Sequence, residues 1–235
     1  MPDKLFIFLD LDNTILDFTA AERTALRVTF AERGIEATDA LLRRYAELNI
    51  ACWEKLEEGE WTRDTVLVRR FELLFEELGL TLDGAEANAR YEGLLHHGHW
   101  FMPGAEELLH ELAPRHKLYL ASNGVESVQR SRIASAGIEP YFQDIFISEC
   151  LGANKPQRAF FEACFARIPD FDPARALMVG DSLTSDIRGG VNAGIRTCWF
   201  NYEKKPGREE IRPDFEIHAL SELPPLLLRL QDAIQ

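Results

Sequence analysis

The chain reads as an α/β protein, a parallel-sheet core interrupted by an inserted bundle of α-helices. Three patterns carry that reading. From Pro103 onward short apolar runs alternate with helical periodicity, the signature of βαβ units. From Glu22 to about Leu95 the apolar residues recur only at helical spacing, with no convincing strand. Leu5-Phe6-Ile7-Phe8-Leu9 is apolar at every position, so it needs cover on both faces and has to join the later strands across the helical stretch. With 235 residues and 46% hydrophobic content, the chain has ample material for a packed core and is not disordered.

Taken in order, Leu5–Leu9 is the first strand. Ala25, Leu26, Phe30 and Ala31 then form a helical stripe that stops at Gly34. A second stripe, opened by Thr38 or Asp39 and ended near Gly59, contains Leu41, Leu42, Tyr45, Leu48, Cys52, Trp53 and Leu56. Val66, Leu67, Phe71, Leu74, Phe75 and Leu78 make a third, capped by Thr62 and stopped at Gly79. This zone predicts a bundle of about four helices, inserted after Asp17 and left near Gly98–Gly104. The remainder predicts helix 103–113, strand 117–121, helix 125–136, strand 145–148 and helix 157–167. Strand 176–180, helix 185–193, strand 197–200, a last strand near 215–217 and helix 221–234 follow.

The chemistry sits at the strand ends. Asp10-Leu-Asp-Asn-Thr14 closes the first strand, and open α/β sheets place their ligands at such carboxyl ends. Buried acids are costly unless a metal, a hydrogen-bond shell or a reaction compensates them. Alone, the pair also suits a polar turn with Asp12 or Asn13 capping the next helix. Leu118–Ala121 runs into Ser122-Asn123-Gly124, a hydroxyl and backbone N–H groups suited to phosphate oxygens, or an ordinary strand-to-helix turn. Lys155-Pro156 precedes a helical pattern. Ala176–Val179 ends in Gly180-Asp181, with Asp186 one helical turn beyond. Acids, a hydroxyl with amides, and a lysine form the inventory for phosphoryl transfer to a carboxylate with a divalent metal.

Asp10–Thr14, Ser122, Lys155, and Gly180-Asp181 with Asp186 resemble, in that order, the four motifs of the haloacid dehalogenase-like hydrolase superfamily; the resemblance runs from about Lys4 to Leu223. The acid at position 12 is similar to the helical-cap phosphatase branch, since the dehalogenases lack that second carboxylate. The resemblance implies a Rossmann-like catalytic core of 1–17 and 99–235 and a helical cap of 18–98 that sets substrate specificity. It implies Asp10 as the nucleophile that forms an aspartyl-phosphate. Asp12 would protonate the leaving oxygen and then take a proton from the attacking water. Lys155 would neutralise nucleophile and phosphate, and Ser122 with the Asn123 N–H would bind the phosphoryl group. Magnesium, or manganese in its place, would be ligated by Asp10, the Asp12 backbone carbonyl and Asp181. Asp186 would orient Lys155 or a water on the metal, and Thr14 would stabilise the loop after Asp10.

Within the superfamily the chain looks most like the noncanonical pyrimidine nucleotidases. The likeness lies in Asp12–Phe18, in Trp53 with Gly59 and Arg70-Phe71, and in Ser122–Gly124. Val179–Asp186 with Gly190, Asn192–Gly194 and Cys198-Trp199 also fits. It implies a 5'-nucleotidase acting on pyrimidine nucleoside monophosphates, with Phe18 and Trp53 flanking a base and Arg70 reaching a sugar or carbonyl. Trp53 also falls on an apolar stripe and suits the cap core. The rival readings are a phosphatase of phosphoglycolate or a sugar phosphate, a phosphomutase, and a non-catalytic binding module.

The formal net charge of −13 argues against a nucleic-acid polymer or an anionic membrane as partner, and it demands local positive charge at any phosphate site. No run approaches membrane-spanning length and no signal-peptide pattern opens the sequence, so a cytoplasmic location is expected. Cys52, Cys150, Cys164 and Cys198 lack metal-ligand spacing; free thiols, buried where the pattern is apolar, are expected. His96, His97 and His99 could bind a metal, but they fall at the expected hinge with no acid or Cys at ligand spacing, which favours a solvated hinge.

Overall fold

The computed structural model of the protein describes residues 4–234. Six strands, β1 (Phe6–Leu9), β2 (Lys117–Ser122), β3 (Asp144–Ile147), β4 (Ala176–Gly180), β5 (Arg196–Phe200) and β6 (Phe215–Ile217), pair in parallel as one sheet. Their spatial order is β3-β2-β1-β4-β5-β6. β1 is central, with Leu9 opposite Leu120 on one side and Val179 on the other.

The alternation along β1 explains its unbroken apolarity. Ile7 and Leu9 enter a core with Leu118, Leu120, Leu177 and Val179, covered by α5 (Ala105–Leu112) and α10 (Leu223–Ile234). Phe6 and Phe8 enter the opposite core with Tyr119, Met178, Phe160 and Phe161, the last two from α8 (Arg158–Phe165). Phe8 stacks on Tyr119 at 5.3 Å between ring centroids. A strand covered on both faces has no room for a polar alternate.

Between β2 and β3 lies α6 (Glu126–Ala136). β3 stops at Ile147, and Ser148, expected as its last residue, opens the short helix α7 (Ser148–Leu151). The helix expected over 185–193 is divided: Leu183–Ile187 is a π-helical turn, and α9 spans Arg188–Ala193. The cause is local. The Ser182 carbonyl accepts from both Asp186 N (3.0 Å) and Ile187 N (3.1 Å), while the Ser182 hydroxyl accepts from Ser185 N at 3.1 Å.

Residues Thr19–Gly98 form one compact unit and the remaining described residues another. Phe18, which opens α1 (Phe18–Ala31), groups with the α/β unit, one residue beyond the expected boundary at Asp17. At the root of the insertion the outgoing and returning segments are paired. Asp17 N donates to Trp100 O (2.8 Å), Met102 N donates to Ile15 O (2.9 Å), and Leu16 bridges Phe101 antiparallel.

The helical unit contains α1, α2 (Asp39–Glu57), α3 (Arg63–Glu77) and α4 (Gly84–Leu95). Thr38, Thr62 and Asp83 cap the last three through side-chain oxygens. Phe30, Tyr45, Phe71, Phe75 and Tyr91 fill its interior, with Tyr45 and Phe71 rings 5.0 Å apart. Trp53 packs beside Cys52, Leu56 and Val66, whereas Leu78 leaves the expected stripe and is exposed. All four cysteines are free; Cys52, Cys164 and Cys198 are buried and Cys150 is exposed. No helix among the described residues is long and apolar enough to cross a membrane.

The same unit buries a polar cluster. Asn49 Nδ2 donates to Glu22 Oε1 at 2.9 Å, and Arg70 donates to Asn49 Oδ1 (3.0 Å), Asn88 Oδ1 (2.7 Å) and Leu67 O (3.2 Å). Burial pushes the Glu22 carboxyl up to about 7, against the pull of Arg70 and Asn49. The folded chain therefore holds this proton more tightly than the unfolded chain does. Its contribution is complete below the ordinary value of 4.5 and is lost as pH rises to about 7. Urea unfolding of the wild type and Glu22→Gln at about pH 5 and pH 8 should show the wild type losing about 2–3 kcal/mol relative to the variant. Parallel profiles for the two proteins would contradict this.

Candidate active site

The carboxyl ends of β2, β1 and β4, three neighbouring strands, deliver Ser122, Asp10 and Asp181 to one edge of the sheet. Asp10 N donates to Val179 O at 2.9 Å, extending the ladder by one residue and fixing the carboxylate at the strand tip. The chain then turns sharply, with Asn13 in the left-handed region at φ 58°. Backbone bonds hold this turn, from Asn13 N to Leu16 O (2.7 Å) and from Ile15 N and Leu16 N to Leu11 O (3.0 and 2.8 Å). Thr14 was expected to stabilise the loop; its hydroxyl is buried without a hydrogen bond, so any such support comes from packing.

Lys155 is the hub. Its Nζ donates to Asp10 Oδ1 (2.7 Å), Asp186 Oδ1 (2.6 Å) and Ala121 O (2.6 Å), and the residue is 1% exposed. Burial works to lower its proton affinity, but Asp10 and Asp186 outweigh it and raise the ammonium above its ordinary range. Asn123 fastens the segment from behind: its Nδ2 donates to Lys155 O (2.8 Å) and Ser185 Oγ (3.2 Å), and its Oδ1 accepts from Lys155 N (2.9 Å). Asp186 Oδ2 also accepts from Ser182 N at 3.1 Å. A Cβ on Gly180 would lie 2.8 Å from Asp186 Cβ, so this approach requires glycine.

The acids outnumber the lysine. Carboxylate oxygens of Asp10, Asp181 and Asp186 lie within 4.8 Å of one another. Burial pushes Asp10 up to about 8, with Lys155 opposing the rise and Asp186 and Asp12 adding to it. Burial and then the carboxylates of Asp10 and Asp186 raise Asp181 well above the usual carboxylate range. A cluster of hard oxygen donors with surplus negative charge suits a divalent cation of the magnesium type. Asp186, expected behind the ligands, here belongs to the group that could hold the ion. His96, His97 and His99 are not part of any comparably close group among the described residues.

Asp12 is held differently. Its Oδ2 accepts from Gln129 Nε2 at 2.5 Å and its Oδ1 from Arg132 Nη1. Gln129 and Arg132, both on α6, are site residues that the sequence reading missed. The available signal was two polar residues at helical spacing beside the apolar Val128 and Ile133, on the helix that follows Ser122. Phe18 is half-buried, its ring 5.6 Å from Arg132 Cζ. The expectation for Arg70 is corrected. At 2% exposure, with its donors on Asn49, Asn88 and Leu67, it is an internal strut of the helical unit and presents no guanidinium to a ligand.

Residues 6–194 match the family model of the haloacid dehalogenase-like hydrolases. The chain is 42% identical to the HAD-hydrolase YfnB of Bacillus subtilis (strain 168), over 92% of each chain. A crystal structure of YfnB bound to magnesium has a TM-score of 0.91, covering 95% of this chain and 98% of that one. Identity is 37% to the pyrimidine 5'-nucleotidase PynA of Streptococcus pneumoniae, over 93% of this chain and 92% of PynA. It is 32% to the pyrimidine 5'-nucleotidase YjjG of Escherichia coli, over 95% and 98%.

Lys155→Met leaves buried carboxylates without their cation. In metal-free buffer, denaturant unfolding should register a loss of about 3–5 kcal/mol. Wild-type stability in that variant would show that the acids do not depend on Lys155.

Proposed function

The chain belongs to the haloacid dehalogenase-like hydrolases, and from that premise we propose that it is a magnesium-dependent phosphomonoester hydrolase working through an aspartyl-phosphate. The observation that carries this reading is the buried Lys155 ammonium bonded to Asp10 beside the carboxylates of Asp181 and Asp186. Hydrolysis of phosphate monoesters needs up to ~10²¹-fold acceleration, and one well-placed group typically supplies about 10²–10³-fold. Several groups must converge, as they do at these strand ends.

Asp10, Asp181 and Asp186, with the backbone carbonyl of Asp12, would hold the magnesium. When bound, the ion supplies positive charge that keeps a buried carboxylate ionised and offsets charge on the transferring group. An Asp10 carboxylate oxygen attacks phosphorus as the bond to the ester oxygen breaks, and the Asp12 carboxyl gives that oxygen its proton. Water then attacks phosphorus of the acyl phosphate and Asp12 takes the proton, releasing phosphate and restoring Asp10. Lys155 stays on Asp10 throughout and neutralises the incoming oxygens. Ser122 Oγ accepts from Gly124 N (3.1 Å) and Gln129 Nε2 (2.8 Å), which leaves its hydrogen to donate to the phosphoryl group beside the Asn123 N–H.

For the substrate we infer pyrimidine nucleoside monophosphates. The names of PynA and YjjG support this, as does Phe18, an aromatic only half-buried in the unit that carries the acids. The helical unit, 19–98, acts as the specificity module.

Asp10→Asn should cut phosphate release at least about 10⁴-fold while the melting temperature is kept. Mass spectrometry of acid-quenched wild type should find phosphate on Asp10. Near-normal turnover in the variant would sink the covalent route. Excess EDTA should silence the enzyme, with recovery on adding magnesium or manganese; activity persisting in EDTA would count against the metal. Phe18→Ala should narrow the preference for dUMP over a sugar phosphate, and an unchanged preference would remove Phe18 from recognition.

A further inference from the structure

Lys155 bonds Asp10 and Asp186 but does not reach Asp12. The partners of Asp12 come instead from two consecutive turns of α6. Gln129 Nε2 donates both to Asp12 Oδ2 (2.5 Å) and to Ser122 Oγ (2.8 Å), and its Oε1 accepts from Arg132 Nη1 at 2.9 Å. The same Nη1 reaches Asp12 Oδ1. Gln129 is 2% exposed, Arg132 is fully buried, and Phe18 lies over the guanidinium. A solvated acid would rotate freely about its side-chain torsions, whereas this one is gripped at both oxygens by donors that are themselves bonded to each other. The backbone accommodates the grip. A Cβ on Gly124 would sit 2.6 Å from Gln129 Cδ, so glycine in Ser122-Asn-Gly124 leaves the space the amide occupies.

We propose that Gln129 and Arg132 are positioning residues for proton transfer at Asp12, and that Gln129 ties this acid to the hydroxyl that binds the phosphoryl group. The inference rests on the phosphatase reading above and deepens it. Neither residue gives or takes the transferred proton; both act through Asp12. Each carboxylate oxygen keeps a second lone pair beyond the bond it accepts, so the clamp fixes orientation without occupying the proton's place. Both half-reactions use that orientation. In the first, the P–O ester bond breaks and the proton moves from Asp12 to the leaving oxygen. In the second, a water proton moves to Asp12 as the acyl phosphate P–O bond breaks and inorganic phosphate leaves. A misplaced acid slows proton transfer at each, and general acid–base groups contribute typically about 10²–10⁴-fold.

The test uses the full-length enzyme with magnesium and two substrates that differ in their need for a proton. A nucleoside monophosphate releases a poor leaving group that requires one; p-nitrophenyl phosphate releases a stable phenolate that does not. Gln129→Leu and Arg132→Met are compared with Arg132→Lys. Melting curves identify any variant that fails to fold; Gln129→Leu, which removes no charge, serves if Arg132→Met is lost. With the nucleotide, steady-state turnover should fall about 10²-fold without a burst. With p-nitrophenyl phosphate, rapid mixing should reveal a burst of nitrophenolate near one equivalent followed by slow turnover, because phosphorylation proceeds and dephosphorylation stalls. Arg132→Lys, which restores a donor, should recover part of the loss. Equal losses on both substrates with no burst, or wild-type kinetics, overturn the inference. If Asp10→Asn is dead in those circumstances, only the clamp fails. If Asp10→Asn is active, the covalent reading fails with it.

Discussion

One buried ammonium group ties together the carboxyl ends of the sheet. Lys155 is 145 residues from Asp10 and 31 from Asp186, yet its three hydrogen bonds join the end of β1, the end of β2 and the π-helical turn after β4. Each bond is short and charge-assisted or made to a backbone carbonyl, and none is open to solvent. Acids packed this closely repel one another and resist burial. The lysine partly answers that repulsion and a divalent cation would complete the answer. Asn123 gripping the lysine backbone and Gly180 giving Asp186 room to approach are consequences of the same need.

The structure contains a second buried polar cluster built by similar physics. In the helical unit Glu22, Asn49, Arg70 and Asn88 form hydrogen-bonded contacts among aromatic side chains. Burial raises the carboxyl there as it does at Asp10. The difference is where the clusters lie. One terminates parallel strands, where backbone and side chains open towards a ligand. The other is enclosed by helices and meets its hydrogen-bonding demands internally, which makes it a determinant of packing.

That distinction marks what could be read in the sequence. Leu5–Leu9, Leu118–Ala121 and Ala176–Val179 are apolar at every position because both sheet faces are covered, so the strands and the acids or hydroxyl at their tips were visible together. Asp10, Ser122, Lys155, Asp181 and Asp186 are brought together from that reading. Arg70 was expected at a ligand although it lies four residues from both Val66 and Leu74, on the apolar face of its helix; the pairing with Asn49 and Asn88, from two other helices, shows what meets it there. Gln129 and Arg132 share the face of Val128 and Ile133 on α6, but their partner Asp12 lies well over a hundred residues away, and nothing local in the sequence names it. The π-turn at Leu183–Ile187 depends on how one carbonyl shares two donors, which residue types do not encode.

The pairing at the foot of the insertion carries an architectural consequence. Ile15–Asp17 and Trp100–Met102 are joined by backbone bonds and a bridge, so the ends of the intervening stretch are already side by side. The entropy of closing a loop grows only slowly with its length, and here the closure is secured before the extra residues contribute anything. An inserted module can be lengthened, shortened or exchanged for another by recombination at this junction while the parallel sheet keeps its register. The junction is a socket, and a single parallel-sheet framework can carry whatever module is plugged into it.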